Sequence, residues 1–310
     1  IVVGLGVQGH KRIRCCGSDF VASVDPENEI ADYRDIADVP LTDYDSAMCC
    51  IPDEPKVSII NYLLSNQKHV LVEKPLWAET EEQLLRLQGL SIERGLVCYT
   101  AFNHRFEPHF VRMRDLISSG DLGDIYRCRI FYGNGTARLV RDSEWRDKGS
   151  GVLHDIGSHL LDTLVYWFGP LGDDFSILSS NTFENKAPDH VVVGSEVTRP
   201  RFELEMTLLS WRNHFSCDVY ASKGSAHIDS LCKWGPTTFQ HRTRVFPSGR
   251  PHETSEVLEQ EDSTWVQEYA HFKALCMEGK GTDLSHDIWI NSLLNKLGSE
   301  AIAFRSAPWR

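Results

Sequence analysis

The chain opens with Ile1-Val2-Val3-Gly4-Leu5-Gly6-Val7-Gln8-Gly9, an apolar run that leads directly into three closely spaced glycines. Between a strand and a helix, such glycines have separate roles. Gly4 allows the tight turn, Gly6 lets the backbone approach a pyrophosphate, and Gly9 permits close packing of the helix on the strand. A pyrophosphate bound there lies against free N–H groups at the positive end of the helix, which opens with Val7 and Gln8. The stretch predicts a dinucleotide-binding turn, although a purely structural turn has the same pattern.

An aspartate, Asp25, ends the second apolar run, about 20 residues beyond the glycines. An acidic residue at this point accepts hydrogen bonds from the adenosine ribose hydroxyls, and its charge repels a 2′-phosphate. The two signals together predict NAD as the cofactor in preference to NADP. The alternative is a solvated turn aspartate before Pro26.

Short, continuous apolar runs recur through the first hundred residues. They lie at residues 1–3, 20–24, 47–51, 69–72 and 96–102, and helical patterns at 55–65 and 80–94 fall between them. Continuous apolar runs suit strands that are buried on both faces of a parallel sheet. The alternation predicts an α/β chain that begins with a Rossmann-type, doubly wound parallel sheet over residues 1–103.

The pattern changes near residue 104. Helical patterns cover 107–118, 152–168, 264–278 and 285–304, and strand-like runs separated by short turns cover 125–132, 202–211, 214–220 and 225–228. These features predict a second α/β domain over residues 104–310, with a large open mixed, mostly antiparallel sheet. We expect this domain to bind the substrate.

The composition argues against several classes of function. The 310 residues carry a net charge of −12, which disfavours broad binding of nucleic acid phosphates. No apolar run approaches the ~20 residues that a membrane helix needs. The nine cysteines include adjacent pairs inside apolar runs and lack the spacing of zinc ligands. We therefore expect them to be small buried residues in the reducing cytoplasm, and we expect no metal site.

Two further stretches carry groups suited to chemistry. Glu73-Lys74-Pro75 ends the fourth apolar run, and the ligands of open α/β sheets bind beyond the carboxyl ends of the strands. In the helical pattern 152–168, Asp155 and His159 are four residues apart and so share a face among apolar positions. Burying these two groups unpaired is costly, so they are either catalytic or a hydrogen-bonded pair that holds the fold.

Together these motifs resemble the glucose–fructose oxidoreductase and myo-inositol dehydrogenase (Gfo/Idh/MocA) family. The resemblance runs in order along nearly the whole chain, through the glycine turn, Ile51-Pro52, Glu73-Lys74-Pro75, Asn103-His104-Arg105-Phe106 and Gly151-x-x-x-Asp155-x-x-x-His159. It implies that three residues meet at the nicotinamide: Lys74, Asp155 and His159. It also implies a homodimer or homotetramer formed through the face of the second sheet, and cofactor contacts from Ile51, Pro52, Glu73, Lys74 and Asn103.

One segment departs from the family pattern. Between Asp25 and the third apolar run at Ala47, the family has a full helix and more. Here residues 28–39 leave room for one turn of helix at most. We expect a thinner adenine side of the pocket and an altered affinity for the cofactor.

The resemblance and the residue chemistry together point to hydride transfer at a hydroxyl carbon of a sugar-like substrate. We expect His159 to act as the general base, because an imidazole pKa near neutrality suits proton transfer. Lys74 would hydrogen-bond the same oxygen. Asp155 would hold a neighbouring hydroxyl or orient His159.

Basic residues near these motifs bear on the identity of the substrate. Arg105, Arg138, Arg141 and Arg146 cluster in the sequence, with Trp145 among them. Arginine forks bind phosphate and carboxylate, which predicts an anionic substrate such as a nucleotide-linked sugar or a sugar acid. We expect it to contact Arg105, Arg138, Trp145 and Arg146. If these arginines instead form surface ion pairs, the alternative substrate is a free cyclitol or monosaccharide. A protein that senses NAD(H) without catalysis is the alternative of a different class.

Overall fold

The computed structural model describes residues 1–143, 146–195 and 199–304, which divide between two units. The first unit comprises Ile1–Phe106 and Ser263–Ser292, and the second comprises Glu107–Asp262 and the chain from Leu293 onward. The first break therefore lies close to the one expected at residue 103. Residues 263–292 differ from the expectation, because they group with the first unit.

The first unit is built on a parallel sheet of five strands in the order β2-β1-β3-β4-β5, as the sequence predicts. Its strands are β1 (Val2–Val3), β2 (Ser23–Val24), β3 (Ser46–Cys49), β4 (His69–Glu73) and β5 (Cys98–Ala101). The helices between them are α1 (Val7–Cys16), α2 (Asp53–Ser65) and α3 (Glu81–Arg94). The centre of β4 is fully buried, which is why its apolar run is continuous rather than alternating.

Local signals fix where the helices of this unit begin and end. Thr80 and Gln83 form a capping box at the start of α3, and Gly95 ends that helix in the left-handed conformation. The helix at Thr264–Glu278 also belongs to this unit. It is joined to α1 by an ion pair in which Arg12 Nη2 lies 2.8 Å from Glu268 Oε2. Both side chains are fully buried, so this pair links the distant segment to the interior of the first unit.

The segment after β2 contains almost no regular structure. Its single helical turn is a 3₁₀ turn at Ile36–Asp38, capped by the side chain of Asp35. The expectation of one turn at most is therefore confirmed. Tyr33 forms an isolated parallel bridge with Val24, so a short extended piece still covers the edge of the sheet at β2.

The second unit is built on a mixed sheet of eight strands in the order β13-β12-β11-β10-β6-β9-β8-β7. Its strands are β6 (Ile125–Gly133), β7 (Phe175–Asn181), β8 (His190–Ser195), β9 (Arg201–Thr207), β10 (His214–Ala221), β11 (Gly224–Asp229), β12 (Thr237–Val245) and β13 (Gly249–Leu258). The predicted strand 202–211 ends early, because residues 208–213 form a loop. Among the described strands of this sheet, only β6 and β9 pair in parallel, which confirms the predicted open, mostly antiparallel sheet.

In the described part of the chain, four α-helices have residues in the second unit: α4 (Pro108–Ser118), α5 (Ala137–Arg141), α6 (Ser158–Phe168) and the end of α8 (Ser285–Ala303). The remaining helix, α7 (Thr264–Glu278), lies in the first unit. Apolar contacts hold α4 and α6 against one face of the sheet. Phe110 of α4 packs against Trp167 of α6 and against Phe215 of β10, with ring centroids 5.1 and 5.0 Å apart.

The strand directions define one end of the large sheet, which we call the Gly133 end after the last residue of β6. Because β6 and β9 are parallel and the other neighbours are antiparallel, β6, β7, β9 and β11 all finish there. The loops that follow these strands therefore lie side by side. This arrangement brings together residues that are far apart in the sequence.

The cysteines act as small core residues. All nine lie in the described ranges, none forms a disulfide, and six of them are buried. Burial raises the pKa of the Cys49 thiol to about 12, so this thiol stays neutral. Within the described ranges, no helix combines the length and the apolar character needed to span a bilayer.

Candidate active site

The glycine turn of the first unit has the geometry that a pyrophosphate requires. Gly4 has a φ of +93°, and a Cβ there would collide with the backbone oxygen of Cys50. A Cβ on Gly9 would collide with the oxygen of Gly4, so both positions are required by packing. Gly6 is different, because no atom lies within 4 Å of where its Cβ would be. Its lack of a side chain keeps space open in front of α1, whose first turn has no side-chain cap.

Asp25 is held beside this turn by backbone donors. Its Oδ2 accepts a hydrogen bond from Leu5 N at 2.7 Å, and its Oδ1 accepts from the N–H groups of Glu27 and Asn28. Burial opposes ionisation, but these donors outweigh it and keep the pKa of Asp25 below its ordinary value. The charged carboxylate therefore also organises the turn itself. It is only partly buried, and Oδ2, which accepts a single hydrogen bond, retains a lone pair for a ribose hydroxyl.

Two other predicted cofactor residues adjoin the glycine turn. Ile51 contributes a methyl group 3.1 Å from the position of a Cβ on Gly4, and Pro52 immediately precedes α2. Asn103 follows β5 and is buried, and its Nδ2 donates to Thr264 Oγ1 at 2.9 Å. Of the residues predicted to bind NAD, some thus surround the glycine turn, and others are buried and hydrogen-bonded inside the first unit.

Lys74 lies between two residues that buried cations hold in place. On one side, Arg12 Nε donates to Glu73 Oε1 at 2.7 Å. On the other side, Lys56 Nζ donates to the carbonyl oxygen of Pro75 at 2.7 Å and to Asp53 Oδ1 at 2.6 Å. Glu73, which we expect to contact the cofactor, therefore also forms an ion pair with the buried Arg12. The contact of Lys56 with Pro75 could not be predicted from the sequence, because no local pattern near Lys56 indicates it.

Burial changes the ionisation of the groups that support Lys74. Desolvation raises the pKa of Glu268 to about 7, although the nearby Arg12 opposes that rise. Desolvation also lowers the pKa of Lys56, against the attraction of Asp53. Arg12 additionally lies 4.3 Å from the ring centroid of Trp265. The support of the lysine is thus a buried, partly titratable network.

The second unit carries the predicted Asp155 and His159. His159 lies in the first turn of α6, and a π-helical turn at Leu153–Gly157 precedes it. Such wide turns are frequent at functional sites. Asp155 Oδ2 accepts a hydrogen bond from Arg146 Nη2 at 3.2 Å, with both side chains partly exposed. The carboxylate therefore has a cationic neighbour that the sequence analysis assigned to the substrate.

A polar and aromatic cluster beside His159 was not predicted. The ring of Tyr132 lies 6.4 Å from that of His159, and Lys233 Nζ is 3.4 Å from Tyr132 Oη. The same ammonium lies 4.8 Å from the ring centroid of Trp234, and burial lowers its pKa. Tyr132 is near the end of β6, and Lys233 and Trp234 follow β11. No motif links these positions, and only the pairing of β6 and β11 with β10 brings them to the Gly133 end.

The predicted substrate residues occupy different places. Arg138 and Arg141 lie on α5 beside an open cavity in the second unit. Arg105 belongs to the first unit, where its Nη2 lies 3.2 Å from His286 Nε2. Trp145 lies outside the described residues. Arg146 is paired with Asp155, a predicted catalytic residue.

Each unit therefore holds its own set of candidate functional groups. The first has an uncapped helix N-terminus beside an open glycine turn, with a supported lysine at the end of β4. The second has an imidazole and a carboxylate beside a phenol and an ammonium group. In the described part of the chain, no group of three or more His, Cys, Asp or Glu side chains is arranged to hold a metal ion. These groups can bind a dinucleotide and move a proton.

Family models and curated relatives agree with this geometry. Residues 2–102 match the model described as an oxidoreductase family with an NAD-binding Rossmann fold, and residues 110–227 match the GFO/IDH/MocA C-terminal domain. The scyllo-inositol 2-dehydrogenase (NADP(+)) of Bacillus subtilis is 33% identical over 105 residues, which cover 33% of this chain and 28% of the relative. The uncharacterized oxidoreductase YrbE of Bacillus subtilis is 28% identical over 247 residues, which cover 72% of this chain and 65% of YrbE. The matches thus span from under a third to just under two thirds of these curated relatives.

Solved structures extend the similarity to the whole fold. A levoglucosan dehydrogenase in complex with NADH has a TM-score of 0.80 at 18% identity, covering 98% of this chain and 96% of that chain. The UDP-N-acetylglucosamine 3-dehydrogenase of Acidithiobacillus ferrooxidans has a TM-score of 0.80 at 14% identity, covering 98% and 97%. At these identities the likeness shows the fold alone. Together with the two family models, it establishes that this chain belongs to the Gfo/Idh/MocA family of oxidoreductases and begins with an NAD-binding Rossmann domain.

Proposed function

We propose that this protein is an NAD-dependent dehydrogenase that transfers a hydride between the nicotinamide and a hydroxyl carbon of a sugar-like substrate. The observation that carries the proposal is the placement of His159, beside Tyr132 and one helical turn from Asp155, in a chain whose first domain binds NAD. A protein that only bound the dinucleotide would have no use for an imidazole in such surroundings. The supported Lys74 in the first unit adds a hydrogen-bond donor suited to a developing alkoxide.

The residues have distinct roles in this proposal. His159 takes the proton of the substrate hydroxyl, a function worth roughly 10²- to 10⁴-fold in rate. Lys74 donates a hydrogen bond to the same oxygen and stabilises its developing negative charge. Asp155 holds a neighbouring hydroxyl or orients His159. NAD supplies the hydride chemistry, held by Gly4, Gly6 and Gly9 at the pyrophosphate and by Asp25 at the ribose.

For the substrate, we favour an anionic compound such as a nucleotide-linked sugar or a sugar acid. Arg138 and Arg141 support this choice, because their guanidinium groups border an open cavity in the second unit. The alternative, a free cyclitol or monosaccharide, is supported by the pairing of Arg146 with Asp155 and of Arg105 with His286. Those contacts occupy two of the four arginines assigned to an anion.

The experiment combines calorimetric titration with NAD and NADP and an absorbance assay for NADH. The substrate panel contains UDP-sugars, sugar acids, inositols and free sugars. We expect NAD to bind more tightly than NADP, and at least one substrate to yield NADH. His159→Asn should lower kcat at least 100-fold, whereas His214→Asn, an exposed histidine of β10, should leave it unchanged. Binding of NAD without turnover of any substrate would favour the sensor alternative, and full turnover by His159→Asn would refute the assigned base.

We also infer that the protein acts in the cytoplasm as a homodimer or homotetramer. The support is the face of the large sheet opposite α4 and α6, where partly exposed polar side chains such as Glu205, Ser216 and His227 point outward. Light scattering at several protein concentrations tests this inference. A strictly monomeric mass would contradict it.

A further inference from the structure

A cavity of about 540 Å³ opens in the second unit, apart from the cluster around His159. It is lined by Arg138, Arg141, Phe183, Glu184 and Trp211. These residues come from α5 and from the loops that follow β7 and β9, so the cavity lies at the Gly133 end of the sheet. A volume of this size lies within the range of about 300–1,000 Å³ that is typical of small-molecule sites.

Hydrogen bonds hold the loops that line the cavity in place. Asn134 connects the chain before α5 to the loop after β9, through Asn134 N to Thr207 O at 3.0 Å and Ser210 N to Asn134 O at 3.1 Å. The buried carboxylate of Asp189 accepts hydrogen bonds from three successive backbone N–H groups, those of residues 183–185. The loops are therefore ordered before any ligand arrives, which lowers the entropic cost of binding.

Trp211 is held in an unfavourable conformation that displays its indole ring. Its φ is +58°, and Arg212 N donates to Ser210 O at 2.6 Å, so Trp211 is the central residue of a classic γ-turn. This turn is rare and strained, and bulky residues seldom adopt a positive φ. The indole is 70% exposed, and Phe183 nearby is 48% exposed. Strain of this kind is concentrated at ligand-binding positions.

The two arginines outnumber the one acidic lining residue, Glu184, so the lining carries a positive charge in a chain of net charge −12. Among the described residues, Arg138 has no hydrogen bond or ion pair through its side chain. The ion pair of Arg141 is a 4.0 Å contact with the exposed Asp142. Both planar forks are thus available for phosphate oxygens. Exposed aromatic rings beside them suit the flat face of a nucleobase.

We propose that this cavity binds the nucleoside diphosphate part of a nucleotide-linked sugar, with Arg138 and Arg141 on the phosphates and Trp211 and Phe183 against the base. This inference rests on the proposed function and specifies its substrate class. The spacing is compatible, because Arg138 is six residues beyond Tyr132, which lies beside His159. Six residues span at most about 20 Å, so the sugar can reach His159 while the diphosphate occupies the cavity.

The test uses calorimetric titration of UDP, uridine and inorganic pyrophosphate into protein saturated with NAD, so that the dinucleotide turn is already occupied. We expect UDP to bind more tightly than either fragment. The double variant Arg138→Gln/Arg141→Gln should weaken UDP and pyrophosphate at least 10-fold. Trp211→Ser should weaken UDP roughly 5- to 100-fold and leave pyrophosphate unchanged, because only the base loses its stacking surface.

The matched control is the double variant Arg250→Gln/Phe246→Ser, which removes an exposed arginine and an exposed aromatic ring at the β12–β13 turn. It should leave UDP binding unchanged. No UDP binding at millimolar concentration, or binding that ignores both cavity variants, would overturn the cavity as a nucleotide site. Because these readouts need no turnover, they are independent of the proposed activity. A protein that binds UDP as expected but oxidises no nucleotide sugar refutes the activity alone.

Discussion

Lys56 is a single buried side chain that holds the backbone beside a proposed catalytic group. Its Nζ bonds the carbonyl oxygen of Pro75, the residue after Lys74. We predict that Lys56→Met, which keeps the length of the side chain, lowers kcat roughly 10- to 100-fold through displacement of Lys74. Lys68→Met is the matched control. Like Lys56, Lys68 donates hydrogen bonds to backbone carbonyls, but these belong to Leu41 and Tyr44, away from the end of β4. Steady-state kinetics and thermal unfolding of both variants separate the two effects, and an equal loss of kcat in both would contradict the positioning role.

Glu268 gives the stability of the first unit a specific pH dependence. Its pKa in the folded protein is about 7, above the ordinary value of 4.5, so the folded state binds more protons than the unfolded chain between these values. The contribution of Glu268 to stability is therefore fully present below about pH 4.5 and is lost as pH rises to about 7.

The side chain of Glu268→Gln cannot ionise. We predict that its free energy of unfolding, measured relative to wild type, rises by up to about 3 kcal/mol as the pH increases from 5 to 8. Urea unfolding at four pH values measures the difference. The exposed Glu82→Gln of α3 serves as the control and should show no such trend. A constant difference between Glu268→Gln and wild type across this range would show that Glu268 does not titrate there.

At the scale of the element, the glycines of the turn have different roles: Gly4 and Gly9 are required by packing, whereas Gly6 leaves space for a ligand. We predict that Gly6→Ala folds with an unchanged melting temperature, since its Cβ meets no atom within 4 Å and its φ is −74°. It should nevertheless weaken NAD at least 10-fold, because the methyl group occupies space that a pyrophosphate needs. Gly9→Ala should instead lower the melting temperature, because its Cβ collides with the oxygen of Gly4. Calorimetry and thermal unfolding check both variants, and NAD binding that Gly6→Ala leaves intact would place the cofactor elsewhere.

The elements could be predicted from the sequence wherever a local pattern decides them. The five parallel strands have continuous apolar runs, and the bounds of α7 match the periodicity at 264–278. The end of β9 could not be predicted in this way. Its apolar run continues to Trp211, but the strand stops at Thr207, and the chain then turns through a γ-turn at that tryptophan. Apolar character alone does not distinguish a strand from a loop that displays an aromatic ring.

At the scale of the whole molecule, the candidate site residues that the sequence predicts are those carried by motifs. Lys74, Asp155 and His159 lie in such motifs: Lys74 directly follows β4, and Asp155 and His159 lie in the predicted helical stretch. Tyr132, Lys56 and Lys233 act through contacts with residues distant in the chain, so no local pattern marks them. Since no local pattern marks its long-range contacts either, the sequence predicts that α7 belongs to the second domain. The buried pair between Arg12 and Glu268 joins residues more than 250 positions apart and places that helix in the first unit.

The proposed reaction requires residues from both units, because Lys74 belongs to the first unit and His159 to the second. If both act on one substrate oxygen, removing either should disable the same step. We predict that Lys74→Met and His159→Asn each lower the rate of NADH formation in a single turnover at least 100-fold. The double variant should be far less impaired than the product of the two losses, since groups that act as a unit are non-additive. As the comparison, Lys74→Met combined with His214→Asn should match Lys74→Met alone. Losses that multiply in the Lys74→Met/His159→Asn variant would mean that the lysine and the histidine serve separate steps, and the shared-oxygen mechanism would have to be abandoned.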